Sequence, residues 1–306
     1  MTWRDTTPPA CDIADTGDPV ALVVTPKPRS IGAFDVRRAL PAAECRSVGP
    51  FVFFDEMGPA LLPAGTGLDV APHPHIGLST LTWMIDGEIR HRDSLGTDQV
   101  IRPGEVNWMT AGKGIVHSER SPDTARGVET RMHGLQVWLA LPREREEIDP
   151  GFQHVPAADI PRFTVEDADI MLVAGQAWDR RSPVAVYSDT LYADVSLPDG
   201  GTLTLPGRSV ERAFYILWGT LESEGRCFGA SQLVVLKEGA TPSVRAHGDC
   251  RFALIGGAPL DGDRHLYWNF VSSSRERIDR AKTDWAARRF PAVPGDDGYI
   301  PLPGAG

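Results

Sequence analysis

His73-Pro74-His75 and His117-Ser118-Glu119 each set two metal-binding residue types one residue apart. On a β-strand, residues i and i+2 point to the same face, so each step can aim two donors at one point. Two such strands facing each other inside a barrel supply three imidazoles and one carboxylate. That donor set suits a first-row divalent ion such as Fe, Mn, Cu, Ni or Zn, and it leaves coordination positions open for substrate. Surface histidines in polar turns are the plain alternative. Against it, four candidate donors fall into two matched steps in a chain with only 8 His.

Short strands must carry these steps, and the flanking residues provide for them. Pro74 removes a ladder donor, which is tolerable at a sheet edge or barrel mouth, where a ligand must be reachable. Before the second step, Pro103-Gly104 sets a tight turn, and Gly112 and Gly114 allow positive φ or close backbone approach. Gly (31) and Pro (26) punctuate short apolar runs along the whole chain, among them residues 51–54, 78–85, 106–109, 135–141, 214–218 and 252–255. That is the pattern of an all-β protein of sandwiches or barrels.

A length of 306 residues fits two domains, and the charged break at 143–150 marks the boundary, giving units 1–145 and 146–306. A formal charge of −10 argues against a nucleic-acid surface and against docking on anionic membranes. Cys11, Cys45, Cys227 and Cys250 form no CxxC step and read as free thiols of a reducing compartment. The N-terminus has no apolar signal core, and no apolar run approaches a membrane span, so a cytoplasmic protein is expected. A short repeat links the halves: residues 81–89 resemble 213–221, each reading as strand, Gly turn, strand about Gly87 and Gly219. Counting back from these glycines, His73 and His75 correspond to Leu205 and Gly207, so the second unit should lack the metal site. Near the end, Ser273 and Glu276 read as a capping box for a helix over 273–289, with Ile278, Ala281 and Trp285 on one face.

Other residues have weaker claims. Phe51, Phe53, Phe54, Met57, Trp83, Trp108 and Met132 could wall an apolar pocket, although for any one of them an ordinary core role is the stronger reading, and at most one of Phe53 and Phe54 can face it. His91 and His133 fit hydrogen-bonded structural roles, and Arg92 and Asp93 read as a loop-organising charge pair.

Five segments carry a resemblance: His73-Pro74-His75, His91-Arg92-Asp93-Ser94, Trp108-Met109-Thr110-Ala111-Gly112, His117-Ser118-Glu119 and Trp268-Asn269-Phe270-Val271-Ser272. Together they resemble a pirin-family bicupin. The resemblance implies two cupin barrels of jelly-roll type and one metal in the N-terminal unit, held by His73, His75, His117 and Glu119. Iron is the metal it implies, with Mn, Ni, Cu or Zn as alternatives. It implies cleavage of a flavonol such as quercetin with O2, with Glu119 nominated to take the substrate's 3-hydroxyl proton. An aromatic small molecule and O2 are then the partners. The alternative it allows is a non-catalytic, iron-bearing regulatory module that binds a protein partner. The chain departs from the family at Ser79, where many members have Glu. That Glu is not one of the four ligands, so the change bears on pocket polarity and substrate choice.

Overall fold

The computed structural model describes residues 18–30, 35–207 and 210–304. Cys11 and the N-terminal segment to residue 17 lie outside the described residues. The fold is almost entirely antiparallel β, as the punctuated apolar runs predict. A seven-stranded sheet has the order Gly151–Val155, Val106–Thr110, Leu78–Asp86, Thr130–Ala140, Phe51–Leu62, Asp35–Leu40, Lys27–Ser30. A four-stranded sheet has the order Asp69–His75, Ile115–Arg120, Ile89–Asp93, Asp98–Ile101. A ten-stranded sheet makes up the C-terminal half. Two jelly-roll units of the cupin type result.

Alternation along the seven-stranded sheet decides what each face does. Leu135, Val137, Leu81, Trp83 and Phe54 point to one face. There they form the largest apolar cluster together with Tyr192, Tyr215, Ala253 and Ile255 of the C-terminal half. Gln136, Trp138 and Phe53 point the other way and line a cavity. The same strands thus join the halves with one face and build the pocket with the other.

Two strands cross the cut drawn at 145/146. Val20–Val24 pairs with Leu233–Leu236 in the ten-stranded sheet, and Gly151–Val155 pairs with Val106–Thr110 in the seven-stranded one. A second joint is polar. Glu56 is fully buried and accepts from Tyr215 Oη at 2.6 Å, Arg37 Nε at 2.8 Å and His133 Nε2 at 2.8 Å. Burial pushes this carboxyl up, but those donors outweigh it and hold it below the ordinary carboxylate range. His133 therefore has the hydrogen-bonded structural role expected of it.

The structure revises several local expectations. Gly87 and Gly219 both have φ near 80°, but neither closes a hairpin. Gly87 is a corner where the chain passes from the seven-stranded to the four-stranded sheet, and Gly219 is a bend inside the continuous strand Glu211–Ser223. A Cβ at either glycine would meet backbone within 3 Å, so these residues permit a close crossing of chains. The helix runs Arg275–Ala286, shorter than 273–289, and its N-cap is Ser274, whose Oγ accepts from Arg277 N at 3.1 Å. Ser273 instead donates to the buried Glu146, so the predicted capping box is displaced by one residue. Ile278, Ala281 and Trp285 are buried as predicted, against Ile76, Val116 and Phe270. Arg92 and Asp93 do not pair with each other. Arg92 bonds to Asp98, while Asp93 accepts the backbone N–H groups of Leu95 and Thr97. Cys227 and Cys250 are free thiols.

Candidate metal centre

The strand Asp69–His75 lies at the edge of the four-stranded sheet, where Pro74 is tolerated for the reason its sequence implies. Its neighbour Ile115–Arg120 sets His117 directly opposite His73 and Ile115 opposite His75. The register slips between His117 and Glu119, so Glu119 faces Val70 on one side and His91 on the other. Such a bulge re-aims the side chains that follow it.

The three histidines converge. One ring nitrogen from each of His73, His75 and His117 lies within 4.8 Å of the others, and all three residues are buried. His117 Nε2 is 3.1 Å from His75 Nε2. An ion bound at about 2.0–2.1 Å holds adjacent imidazole nitrogens roughly 3 Å apart, so this spacing is already that of a coordination site. Burial keeps the rings neutral: it lowers His73 to about 4 and holds His75 and His117 well below the ordinary imidazole range. Neutral imidazoles offer lone pairs.

The outer nitrogens fix which tautomers are present. His73 Nδ1 donates to the Ala71 carbonyl at 2.9 Å, freeing Nε2. Behind His117 the contact is longer-ranged. Asp93 Oδ2 lies 3.0 Å from His91 Nε2, and His91 Nδ1 lies 3.3 Å from His117 Nδ1. A carboxylate only accepts, so His91 carries a proton on Nε2, and as the neutral ring it accepts at Nδ1. His117 then donates from Nδ1, and its Nε2 faces the cluster unprotonated. The His91 ring is held by stacking on Phe152 at 4.6 Å. Among the described residues His75 Nδ1 has no partner in strict hydrogen-bond geometry, although the Asn269 backbone lies close enough to influence the ring. The converging lone pairs fit a resident cation, which satisfies them together.

Glu119 stands outside the tight cluster but lines the same cavity, where its carboxyl bonds to Thr82. Burial raises this carboxyl to about 7, with the Thr82 hydrogen bond opposing. The cavity has a volume of about 720 Å³. Its chief wall is Phe53 stacked on Trp138, ring centroids 3.8 Å apart and 10° from parallel, with Trp138 edge-on to His75 at 5.1 Å. Arg38 covers the far side of Phe53 at 4.3 Å and is held bidentately by Asp55. Leu266, Trp268 and Asn269 close one side.

Of the pocket residues suggested by sequence, Phe53 and Met57 line the cavity, while Phe51, Phe54, Trp83, Trp108 and Met132 are core. Ser79 is fully buried and 3.2 Å from Thr110 Oγ1. Sequence reasoning missed Trp138 and Gln136, although a signal existed: Gln136 interrupts an apolar strand on alternate positions, which marks a second, non-core face. No local signal points to Leu266, Trp268 and Asn269 as pocket residues.

Comparison with known proteins gives concordant results. The pirin family model matches residues 33–139, and the model of the pirin C-terminal cupin domain matches residues 192–291. A pirin-like protein of Caulobacter vibrioides is 46% identical over 288 residues, covering 93% of this chain and 99% of its own length. A quercetin 2,3-dioxygenase from Acinetobacter baumannii superposes with a TM-score of 0.86 at 36% identity, covering 92% of this chain and 94% of that one. A bacterial pirin from Escherichia coli, solved in complex with nickel(II), shares the fold with a TM-score of 0.62 at 20% identity over 78% of this chain and 99% of that one.

Proposed function

The chain belongs to the pirin family, and from that premise we propose that it is a metal-dependent dioxygenase of the quercetinase type, opening a flavonol or related enol ring with O2. One observation carries the reading: three buried imidazoles converge on a cavity walled by stacked aromatics, with the Glu119 carboxyl on the same wall. His73, His75 and His117 would hold the ion, with Glu119 as the fourth donor that the family pattern supplies. Fe(II) is the ion proposed, and Mn, Ni, Cu and Zn are accepted by the same donors. When bound, the ion supplies Lewis acidity at the substrate oxygen and the means of engaging dioxygen.

The protein's own residues do the rest. Phe53 and Trp138 give the cavity an apolar wall suited to a flat polyphenol. Glu119, on the wall of the same cavity, is placed to take the proton of an enolic hydroxyl. Thr82, which contacts that carboxyl, is itself held by donating its Oγ1–H to Gln136 Oε1 at 2.8 Å. In the overall reaction both atoms of O2 enter the product and one ring carbon leaves as carbon monoxide.

The test is aerobic incubation of the Fe(II)-loaded protein with quercetin, following flavonol absorbance and carbon monoxide. Turnover is expected, and Glu119→Gln should lower kcat by roughly 100-fold or more, the usual scale of general-base loss. Chelator competition on the same variant reports ligation independently: a fall in metal affinity assigns Glu119 to the ion as well. Absence of carbon monoxide across a flavonol panel with fully metallated protein would end the proposal.

A further inference from the structure

A separate group of donors lies on the ten-stranded sheet of the C-terminal half. Beyond the bend at Gly219, the strand Glu211–Ser223 forms a hairpin with Arg226–Gly229, and Ser243–Gly257 lies along its other edge. Glu222 stands directly across from Cys227 on one side and from Arg245 on the other. The adjacent pair Leu221 and Phe228 is buried, so alternation turns Glu222 and Cys227 outward. His247, two residues from Arg245, shares that outward face. A carboxylate oxygen, the thiol sulfur and a ring nitrogen of these three residues all lie within 4.8 Å of one another, and His247 Nε2 is 2.7 Å from Glu222 Oε2.

We propose that Glu222, Cys227 and His247 form a second cation site, for an exchangeable ion of the Zn(II) class. The donor types select the ion. A thiolate disfavours Mg(II), Ca(II) and Mn(II), while thiolate, imidazole and carboxylate together suit Zn(II) and Co(II). Bonds of about 2.0–2.3 Å place tetrahedral donors roughly 3.3–3.8 Å apart, so the observed spread closes by side-chain rotation alone. Three protein donors leave a fourth position for water. Because the backbone positions belong to paired strands, the site needs no loop to be ordered. Binding releases the Cys227 thiol proton to solvent. Arg245 stands across from Glu222 and offers the ion no lone pair, so affinity rests on Cys227 and His247. No ligand-x-ligand step announces the site in the sequence: its donors are brought together only by strand pairing.

The first site contains no sulfur, so a thiolate signature separates the two. Among the other described cysteines, Cys250 is buried, with its thiol pushed up to about 12 by burial, and Cys45 donates to the Ser47 carbonyl. Titrating the full chain with Co(II) should produce a sulfur-to-cobalt charge-transfer band in the near ultraviolet that saturates by two equivalents per chain, one of them taken up by the first site without a sulfur band. Zn(II) should bleach it and Mg(II) should not. Cys227→Ser should abolish the band, and His247→Ala should weaken binding by at least about tenfold. Alkylation of Cys227 should slow when Zn(II) is present. No sulfur band in the native protein, or the same band in Cys227→Ser, overturns the proposal. All three residues lie on the solvent side of the sheet, so the variants should fold, and circular dichroism checks this.

Discussion

At the scale of single residues, the donors at the imidazole cluster are set by what lies behind them. His117 can offer Nε2 only because its Nδ1–H has an acceptor, and that acceptor exists only because Asp93 holds the proton of His91 on the far nitrogen. Replacing such an outer partner typically costs 10–100-fold in metal affinity. Accordingly His91→Ala and Asp93→Asn should each weaken Ni(II) or Fe(II) binding by roughly that factor, measured by competition with a calibrated chelator. The double variant should be little worse than either single one, because both break the same chain of hydrogen bonds. Full additivity of the two losses would refute that coupling. The sequence named His91 as structural, which its contacts bear out in kind. It could not show that the structure being supported is a ligand, since the Asp93–His91–His117 chain spans two strands.

At the scale of elements, the strand bearing His117 and Glu119 is held from outside by the C-terminal tail. Arg120 Nε donates to Asp296 Oδ2 at 2.7 Å and Nη2 to Asp296 Oδ1 at 2.9 Å. The helix Arg275–Ala286 packs against Val116 of the same strand and against Ile76, just beyond the strand Asp69–His75. The Arg120 hydrogen bonds hold the Asp296 carboxyl down to about 2, against the opposing effect of burial. Its unfolded value is about 4, so the pairing stabilises the native state fully above pH ~4, and that contribution is lost as pH falls toward 2. Asp296→Asn should therefore lower stability at pH 7 by on the order of 1 kcal/mol, discounted because Arg120 is partly exposed. The gap in melting temperature between the variant and the native protein should close as pH drops from about 4 to about 2. A gap of unchanged size across that range would mean the ion pair is not its source. The helix was legible from its capping residues and apolar stripe, apart from the one-residue displacement of the cap. That displacement follows from Glu146, which engages Ser273 from 127 positions away and leaves Ser274 to cap.

At the scale of the whole molecule, the pocket is a joint product of both halves. Its sheet includes Gly151–Val155, whose Phe152 stacks on His91, and one side is closed by Leu266, Trp268 and Asn269. The buried Glu56 takes a donor from Tyr215 of the opposite half. Residues 1–145 expressed alone would lose all three and expose the apolar face that packs on Tyr192 and Tyr215. The fragment should show strand content by far-ultraviolet circular dichroism but little near-ultraviolet signal, and should bind hydrophobic dye. A cooperative melt with native metal affinity would show that the N-terminal unit is self-sufficient.

The sequence by itself determined the β architecture, because period-two alternation and Gly and Pro punctuation are local properties of the chain. It also determined the donor types at 73, 75 and 117, because a ligand-x-ligand step on a strand needs no distant partner to be recognised. Tertiary structure alone decided that Glu119 stands apart from the imidazoles beside Thr82, that Phe53 faces the cavity while Phe54 joins the halves, and that Glu222, Cys227 and His247 meet. Each of these depends on strand register and sheet pairing, which are fixed by packing over long sequence separations and leave no mark on any short stretch of residues.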